Sequence, residues 1–255
     1  MPRSYPARVE RVVALLCNPS AGGGRAARVL PEVEAALREL NVSFHTELTR
    51  DVAHARELAR AAARAGEATV TLGGDGLVGC VVGGLRDVPN GSAFIGIASR
   101  GFDSDANRIA NTAPSRLGKL VYLYGGLRAL AAWKPARFEL RLDGEPLAFS
   151  GYSVAAANSS SYGGGMKLAP DAALDDGLLD IVLIAAHSKP GFLRTLPQVF
   201  KGAHVTHPAV RIERVRALHV DADRPFEIYA DGDPVGRTPA TIGITPGAVS
   251  VLAPR

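Results

Sequence analysis

The run Ala68-Thr-Val-Thr-Leu72, passing at once into Gly73-Gly74-Asp75-Gly76, decides how the rest of the chain reads. A short apolar strand that ends in glycines lets backbone approach a bulky anion, because no Cβ stands in the way. Val78 to Leu85 can supply a following helix, whose first amides point at such an anion and whose dipole favours negative charge. A carboxylate at Asp75 repels phosphate, so it should hold a hydroxyl, orient an amide or contact a cation. The plainer reading is a tight strand-to-helix turn with an exposed Asp, and short glycine motifs leave both open.

A second stretch repeats the pattern. Val12-Val-Ala-Leu-Leu-Cys17 reads as a buried parallel-type strand running into Asn18-Pro-Ser-Ala-Gly-Gly-Gly24, after which Arg25 to Leu40 has helical spacing. Two such turns on the carboxyl edge of one sheet describe an anion cradle, since ligands of open α/β sheets sit at that edge.

Around these turns the first part alternates strand and helix. Strands are expected at 11–17, 42–48 and 68–72, and helices at 25–40, 51–65 and 77–86. That rhythm implies a parallel sheet with right-handed crossovers. In the second helix, Ala53, Leu58, Ala59, Ala62 and Ala63 form a small-residue face that can lie close on its neighbours.

Beyond residue 88 the character changes. Asn90-Gly91 is a hairpin signal, 93–98 reads as a strand, and a helical patch covers about 115–132. Arg137-Phe-Glu-Leu-Arg-Leu142 alternates as a half-buried strand does, and Asp143-Gly144 turns the chain into 147–157. More strands are expected at 178–185, 209–221, 225–230 and 248–253, with a helix near 189–201. The expected fold is therefore α/β plus β: a parallel-sheet domain over 8–87 and an antiparallel β-sandwich over 88–255, whose end packs back on the first domain. A cleft between two such domains is where a ligand belongs.

Composition narrows the classes. The 255 residues are 47% hydrophobic and 21% charged, enough for real cores. No apolar run reaches membrane-span length, and the first ten residues lack the apolar region of a signal peptide, which points to the cytoplasm. Cys17 and Cys80 read as buried thiols. A net charge of +4 suits phosphate-rich ligands or an anionic membrane surface. No basic run interleaved with aromatics supports nucleic acid.

Two acidic stretches remain. Asp171-Ala-Ala-Leu-Asp-Asp-Gly-Leu-Leu-Asp180 gathers four carboxylates and suits either a hard cation or an acidic turn. Asp231, in Tyr229-Ala-Asp-Gly-Asp-Pro234, sits at a strand end, where it suits a general base or a plain hairpin. His204 and His207 are spaced for zinc but lack a third ligand, and no Gly-x-Ser-x-Gly elbow supports acyl transfer.

Together, Asn18-Pro-Ser-Ala-Gly-Gly-Gly24, Thr49, Gly73-Gly-Asp-Gly76, Tyr162-Gly-Gly-Gly-Met166, Ala169 to Asp180 and Ala230-Asp-Gly-Asp233 resemble the diacylglycerol kinase catalytic-domain family. These bacterial lipid kinases are related to sphingosine kinases and, more distantly, NAD kinases. The resemblance implies ATP and Mg²⁺, a lipid hydroxyl as phosphate acceptor, and peripheral contact with the inner membrane surface. It implies that Asn18, Thr49, Gly73, Gly74, Asp75 and Gly76 contact ATP and that Asp231 is the general base. It implies too that Asp176, with the carbonyls of Ala173 and Leu178, holds a structural Mg²⁺. The chain departs from the family by reading Leu77-Val-Gly-Cys80 where Thr and then Asn-Glu are usual. The family's Pro-x-Gly-Thr-x-Asn-Asp segment has no counterpart, as though a stretch were missing near 87–88. The alternative is therefore a catalytically impaired nucleotide- or lipid-binding regulator; a soluble NAD kinase fits the glycine and acidic patterns less well.

Overall fold

Val13–Cys17 (β1) is apolar throughout and lies at the centre of a three-stranded parallel sheet, between Phe44–Leu48 (β2) and Ala68–Leu72 (β3). The pairing is in register, with Val13 opposite Phe44 on one side and Ala68 on the other. The computed structural model describes residues 12–86, 92–102, 128, 133–161 and 165–251. It divides into two compact units, Met1–Ala93 and Phe94–Arg255.

In the first unit, Ala21–Glu39 (α1), Val52–Ala65 (α2) and Asp75–Arg86 (α3) follow the three strands in turn. Gly22, Gly23 and Gly24 have φ of +60°, +64° and +84°, so regular helix begins only after them. The Asp51 carboxylate caps α2 by accepting from the His54 N–H, and Gly66 closes it in the left-handed conformation. The buried face of α2 is Ala55, Ala59 and Ala62, at the i, i+4, i+7 spacing of one helical stripe. Ala53 and Ala63, expected on that face, are exposed, and Leu58 packs at its margin. Small residues matter where α3 crosses. A Cβ on Gly84 would lie 2.7 Å from both the Ala59 Cβ and the Arg56 carbonyl oxygen.

In the second unit the strands are Ile97–Gly101 (β4), Ala136–Leu142 (β5), Glu145–Ala157 (β6), Leu179–Ala185 (β7), Val210–Val215 (β8), Ala217–Ala222 (β9), Glu227–Ala230 (β10), Asp233–Arg237 (β11) and Ala240–Gly243 (β12). All their pairings are antiparallel, in the order β11-β10-β4-β6-β5-β9-β12, with β7 joining β6 to β8. The long strand β6 forks the sheet. Its first part, to Gly151, pairs with β5; its last part pairs with β4 and β7. At the fork a side chain on Gly151 would lie 2.3 Å from the Ile184 carbonyl oxygen. The core holds Phe102, Trp133, Phe138, Tyr152, Phe192 and Phe226, and Lys189–Val199 (α4) contributes Phe192 and Val199.

Some expectations differ from the structure. The single strand expected over 209–221 is two strands, β8 and β9, broken at Arg216. β11 and β12 were not anticipated, because Pro234, Gly236 and Pro239 mask their extended character. Residues 248–251 form no strand. The Asn90-Gly91 hairpin, most of the 115–132 helix, Tyr162-Gly-Gly164 and the junction at 87–88 lie outside the described residues. No described helix is long and apolar enough to cross a membrane. Cys17 and Cys80 are both buried.

Candidate functional site

The carboxyl ends of β1, β2 and β3 are stitched together by backbone. The Asn18 N–H donates to the Leu72 carbonyl at 3.0 Å, and the Thr49 N–H donates to the Cys17 carbonyl at 2.8 Å. The Thr49 hydroxyl donates to the same Cys17 oxygen at 3.3 Å. These bonds bring Asn18, Thr49 and Gly73 onto one edge of one sheet. The Asn18 Oδ1 accepts from the Ser20 N–H at 3.1 Å, so this side chain shapes the turn into the three left-handed glycines. Gly73 is pinned, because a Cβ there would meet the Leu77 Cδ2 at 2.7 Å. Gly74 differs: among the described residues nothing lies within 4 Å of where its Cβ would be. Gly73, Gly74 and Asp75 are exposed at the start of α3, whose first N–H groups have no intrahelical acceptor. The edge offers donors, space and the positive end of a dipole, which suits an anion.

In the second unit Asp231 and Gly232, with φ of +51° and +93°, form the two-residue turn between β10 and β11. Positive φ at both positions is the turn type that Asp-Gly favours. The turn throws the Asp231 carboxylate back across β4. Its Oδ2 accepts from the Ile95 N–H at 2.8 Å, and its Oδ1 from the N–H groups of Gly96 at 2.9 Å and Ile97 at 3.0 Å. The Asp231 N–H donates to the Ile97 carbonyl at 3.1 Å. Asn158 fixes the other side of this segment, its Nδ2 donating to the Ile95 carbonyl and its N–H to the Gly96 carbonyl, each at 2.9 Å. So the two readings of Asp231 coexist: it is a hairpin residue, and its carboxylate is held rigidly by three amides.

The acidic turn is built differently. The Asp176 Oδ1 accepts from the Leu178 N–H at 2.9 Å, and its Oδ2 accepts from the Arg214 guanidinium. Arg214 lies opposite Asp180 in the β7–β8 register, with its Nε 3.7 Å from the Asp180 Oδ1. Asp180 is only 3% exposed, and burial raises its carboxyl above the ordinary range, an effect that Arg214 partly offsets. Elsewhere, the buried His204 donates its Nε2–H to the Leu168 carbonyl, while the His207 Nδ1 accepts from the Ala209 N–H. The two histidines do not converge. Among the described residues no group of three or more His, Cys, Asp or Glu is placed to share a metal ion.

Residues 96–253 match the family model of the YegS C-terminal NAD kinase beta sandwich-like domain, and residues 12–126 match that of the diacylglycerol kinase catalytic domain. The chain belongs to the diacylglycerol kinase and YegS-like lipid kinase family. A diacylglycerol kinase of Mycobacterium tuberculosis (strain ATCC 25618 / H37Rv) is 38% identical over 160 residues, covering 62% of this chain and 52% of that protein. A probable YegS-like lipid kinase of Chromohalobacter salexigens is 26% identical over 285 positions, covering 88% of this chain and 89% of that protein. The latter alignment runs over more positions than this chain has residues, so it leaves positions of the relative without a counterpart here. The chain spans about half the length of the first curated relatives it matches. A crystal structure of a diacylglycerol kinase from Bacillus anthracis superposes with a TM-score of 0.65 at 16% identity, covering 95% of this chain and 96% of that one. At that identity the likeness establishes the fold.

Within this lipid kinase family fold, Ile95, Gly96 and Asn158 are the residues that sequence reasoning missed. Gly96 carried the one usable signal: a glycine inside an apolar strand marks a close approach. The Mg²⁺ site that the resemblance implies at Ala173, Asp176 and Leu178 can be tested against the side chains. Mg²⁺ demands near-octahedral oxygen ligands. Here both oxygens of Asp176 already have hydrogen-bond donors, and one of those donors is a cation. As arranged, these residues do not fit a divalent ion.

Proposed function

We propose that this member of the lipid kinase family transfers the γ-phosphate of ATP to the hydroxyl of a diacylglycerol-like lipid. The observation that carries the reading is the stitched carboxyl edge of β1, β2 and β3, with Asn18, Thr49 and the open Gly74 on it. Phosphoryl transfer asks a protein mainly to position the phosphates and balance their charge. The amides that open α3 and the Gly22–Gly24 turn would take the phosphates, and Asn18 would keep that turn in shape. Asp75 would meet a ribose hydroxyl or orient an amide rather than touch phosphate. Mg²⁺ carried with ATP would neutralise charge on the phosphate oxygens. Asp231 would accept the proton of the lipid hydroxyl, its carboxylate aimed by the amides of Ile95, Gly96 and Ile97.

The acceptor lives in a membrane, and α4 with the two residues that follow it offers a surface suited to one. Leu193 is 39% exposed and Phe200 52%, with exposed Arg194 and Lys201 beside them. No Asp or Glu occurs from 181 to 212. Apolar side chains flanked by cations suit peripheral contact with an anionic bilayer.

One observation favours the second reading, a binding protein without turnover. Leu77, where the family usually has Thr, is buried and offers no hydroxyl to the edge. Incubation with labelled ATP and mixed lipids separates the two. Labelled phospholipid supports the kinase; ATP binding without product supports the regulator; labelled NADP after adding NAD would overturn both.

A further inference from the structure

We infer that Arg214 takes the place of a divalent cation at the acidic turn of the second unit, so that this turn is closed by a guanidinium and not by a metal. The inference is independent of whether the chain is an active kinase.

Four carboxylates fall between Asp171 and Asp180, and such a cluster needs positive charge to hold its shape. The backbone supplies part of the answer. Gly177, with φ of +73°, reverses the chain, and the Leu178 N–H closes the turn onto the Asp176 carboxylate. The charge itself comes from the next strand. Cross-strand pairing sets Arg214 directly opposite Asp180, so its position is fixed by the sheet rather than by a flexible loop. From there one face of the guanidinium reaches Asp180 through Nε, and Nη2 donates to Asp176. A planar fork on two carboxylates is a task for Arg, whose charge is permanent and whose donors diverge from one plane.

Asp180 makes the need for that charge acute. Its side chain is 5% exposed, and its Oδ2 has no hydrogen-bond partner among the described residues. A buried carboxylate that loses its counter-ion is costly, because neither water nor protein then compensates it. A divalent ion bound at Asp176 would have to sit against the guanidinium already there, so the two cations are mutually exclusive. Arg214 and the metal are alternative solutions to one electrostatic problem.

The test compares thermal unfolding of the full chain, without nucleotide, in chelator and in excess Mg²⁺ or Ca²⁺ at matched ionic strength. The wild type should melt at the same temperature in both. Arg214→Met should melt several degrees lower in chelator and recover in Mg²⁺ or Ca²⁺. Arg211→Met, exposed on the same strand and paired instead with Glu213, should show no cation response. If Arg214→Met is destabilised yet indifferent to divalent ions, the guanidinium is only an ion-pair partner and the inference fails. If Arg214→Met does not fold, the wild type still decides. A cation-dependent rise in its melting temperature that Asp176→Asn removes would overturn the inference, and a wild type that binds no Mn²⁺ by electron paramagnetic resonance would uphold it.

Discussion

The Asp231 carboxylate fills the space in which Gly96 would otherwise carry a side chain. A Cβ at Gly96 would lie 2.6 Å from the Asp231 Oδ1, a residue 135 positions away in sequence. Gly96→Ala must therefore push the carboxylate off its three amides or deform the bend that leads into β4. Overpacking of this kind costs about 1–3 kcal/mol. Urea denaturation should show that loss, and, if Asp231 is the base proposed above, lipid phosphorylation should fall with it, because its carboxylate is no longer aimed.

Asp231→Asn keeps the size of the side chain but puts an NH₂ where an amide N–H now donates. The variant should fold with a loss of about 1–3 kcal/mol, the cost of leaving a partly buried amide donor unmatched. Turnover should vanish while ATP binding persists. Asp233→Asn, two positions on and exposed, should change neither stability nor rate. Full activity in Asp231→Asn would remove it from the chemistry.

Gly73 and Gly74 should respond differently to the same change. Gly73→Ala meets Leu77 and should lower the melting temperature. Gly74→Ala meets no atom of the described residues and should leave melting unchanged. Its methyl group would occupy the approach to the α3 amides, so ATP affinity should drop at least tenfold, about 1.4 kcal/mol. Calorimetric titration beside a melting curve checks both. Unaltered ATP binding in Gly74→Ala would place the nucleotide elsewhere.

His204 sets a pH dependence of stability. Burial lowers its pKa below the ordinary 6.5, against a smaller opposing effect of its bond to the Leu168 carbonyl. Below 6.5 the unfolded chain takes up a proton that the folded His204 resists, so the unfolded state binds more protons and stability rises with pH there. Its contribution is complete above 6.5 and is lost as pH falls below it. Melting temperatures of wild type and His204→Gln, compared from neutral to mildly acidic pH, should converge as the pH drops.

Leu193→Asn combined with Phe200→Asn should weaken sedimentation with phosphatidylglycerol vesicles and leave melting unchanged, since both side chains are exposed. Equal binding to phosphatidylcholine vesicles by the wild type would argue against a role for Arg194 and Lys201.

The first unit was legible because its signals are local. β1 and β3 are short runs that lead into glycine-bearing turns, and Asp51 and Gly66 bracket α2 with ordinary capping chemistry. The α2 face differs from expectation at Ala53, Ala55 and Ala63, since alanines crowd that helix and only packing, as at Gly84, selects among them. In the second unit, β5 and β6 could be read from alternation and Asp143-Gly144. β11 and β12 could not, because proline and glycine ordinarily signal turns and only pairing with β10 and β9 holds these segments extended. The site divided in the same way. Asn18 and Gly73 announce themselves beside strand ends, whereas Thr49 is named only by the family resemblance. The partnership of Asp231 with Gly96, and that of Asp176 with Arg214, joins segments remote in sequence, and no local pattern encodes either.

The forked strand β6 has a consequence for how the second unit can be dissected. Because one continuous segment belongs to both branches, severing the chain near Gly151 would leave each fragment with an unmatched edge. Complementation between two halves cut there should therefore fail through aggregation, whereas a nick at the exposed Asp143-Gly144 reversal would spare every ladder that crosses β6.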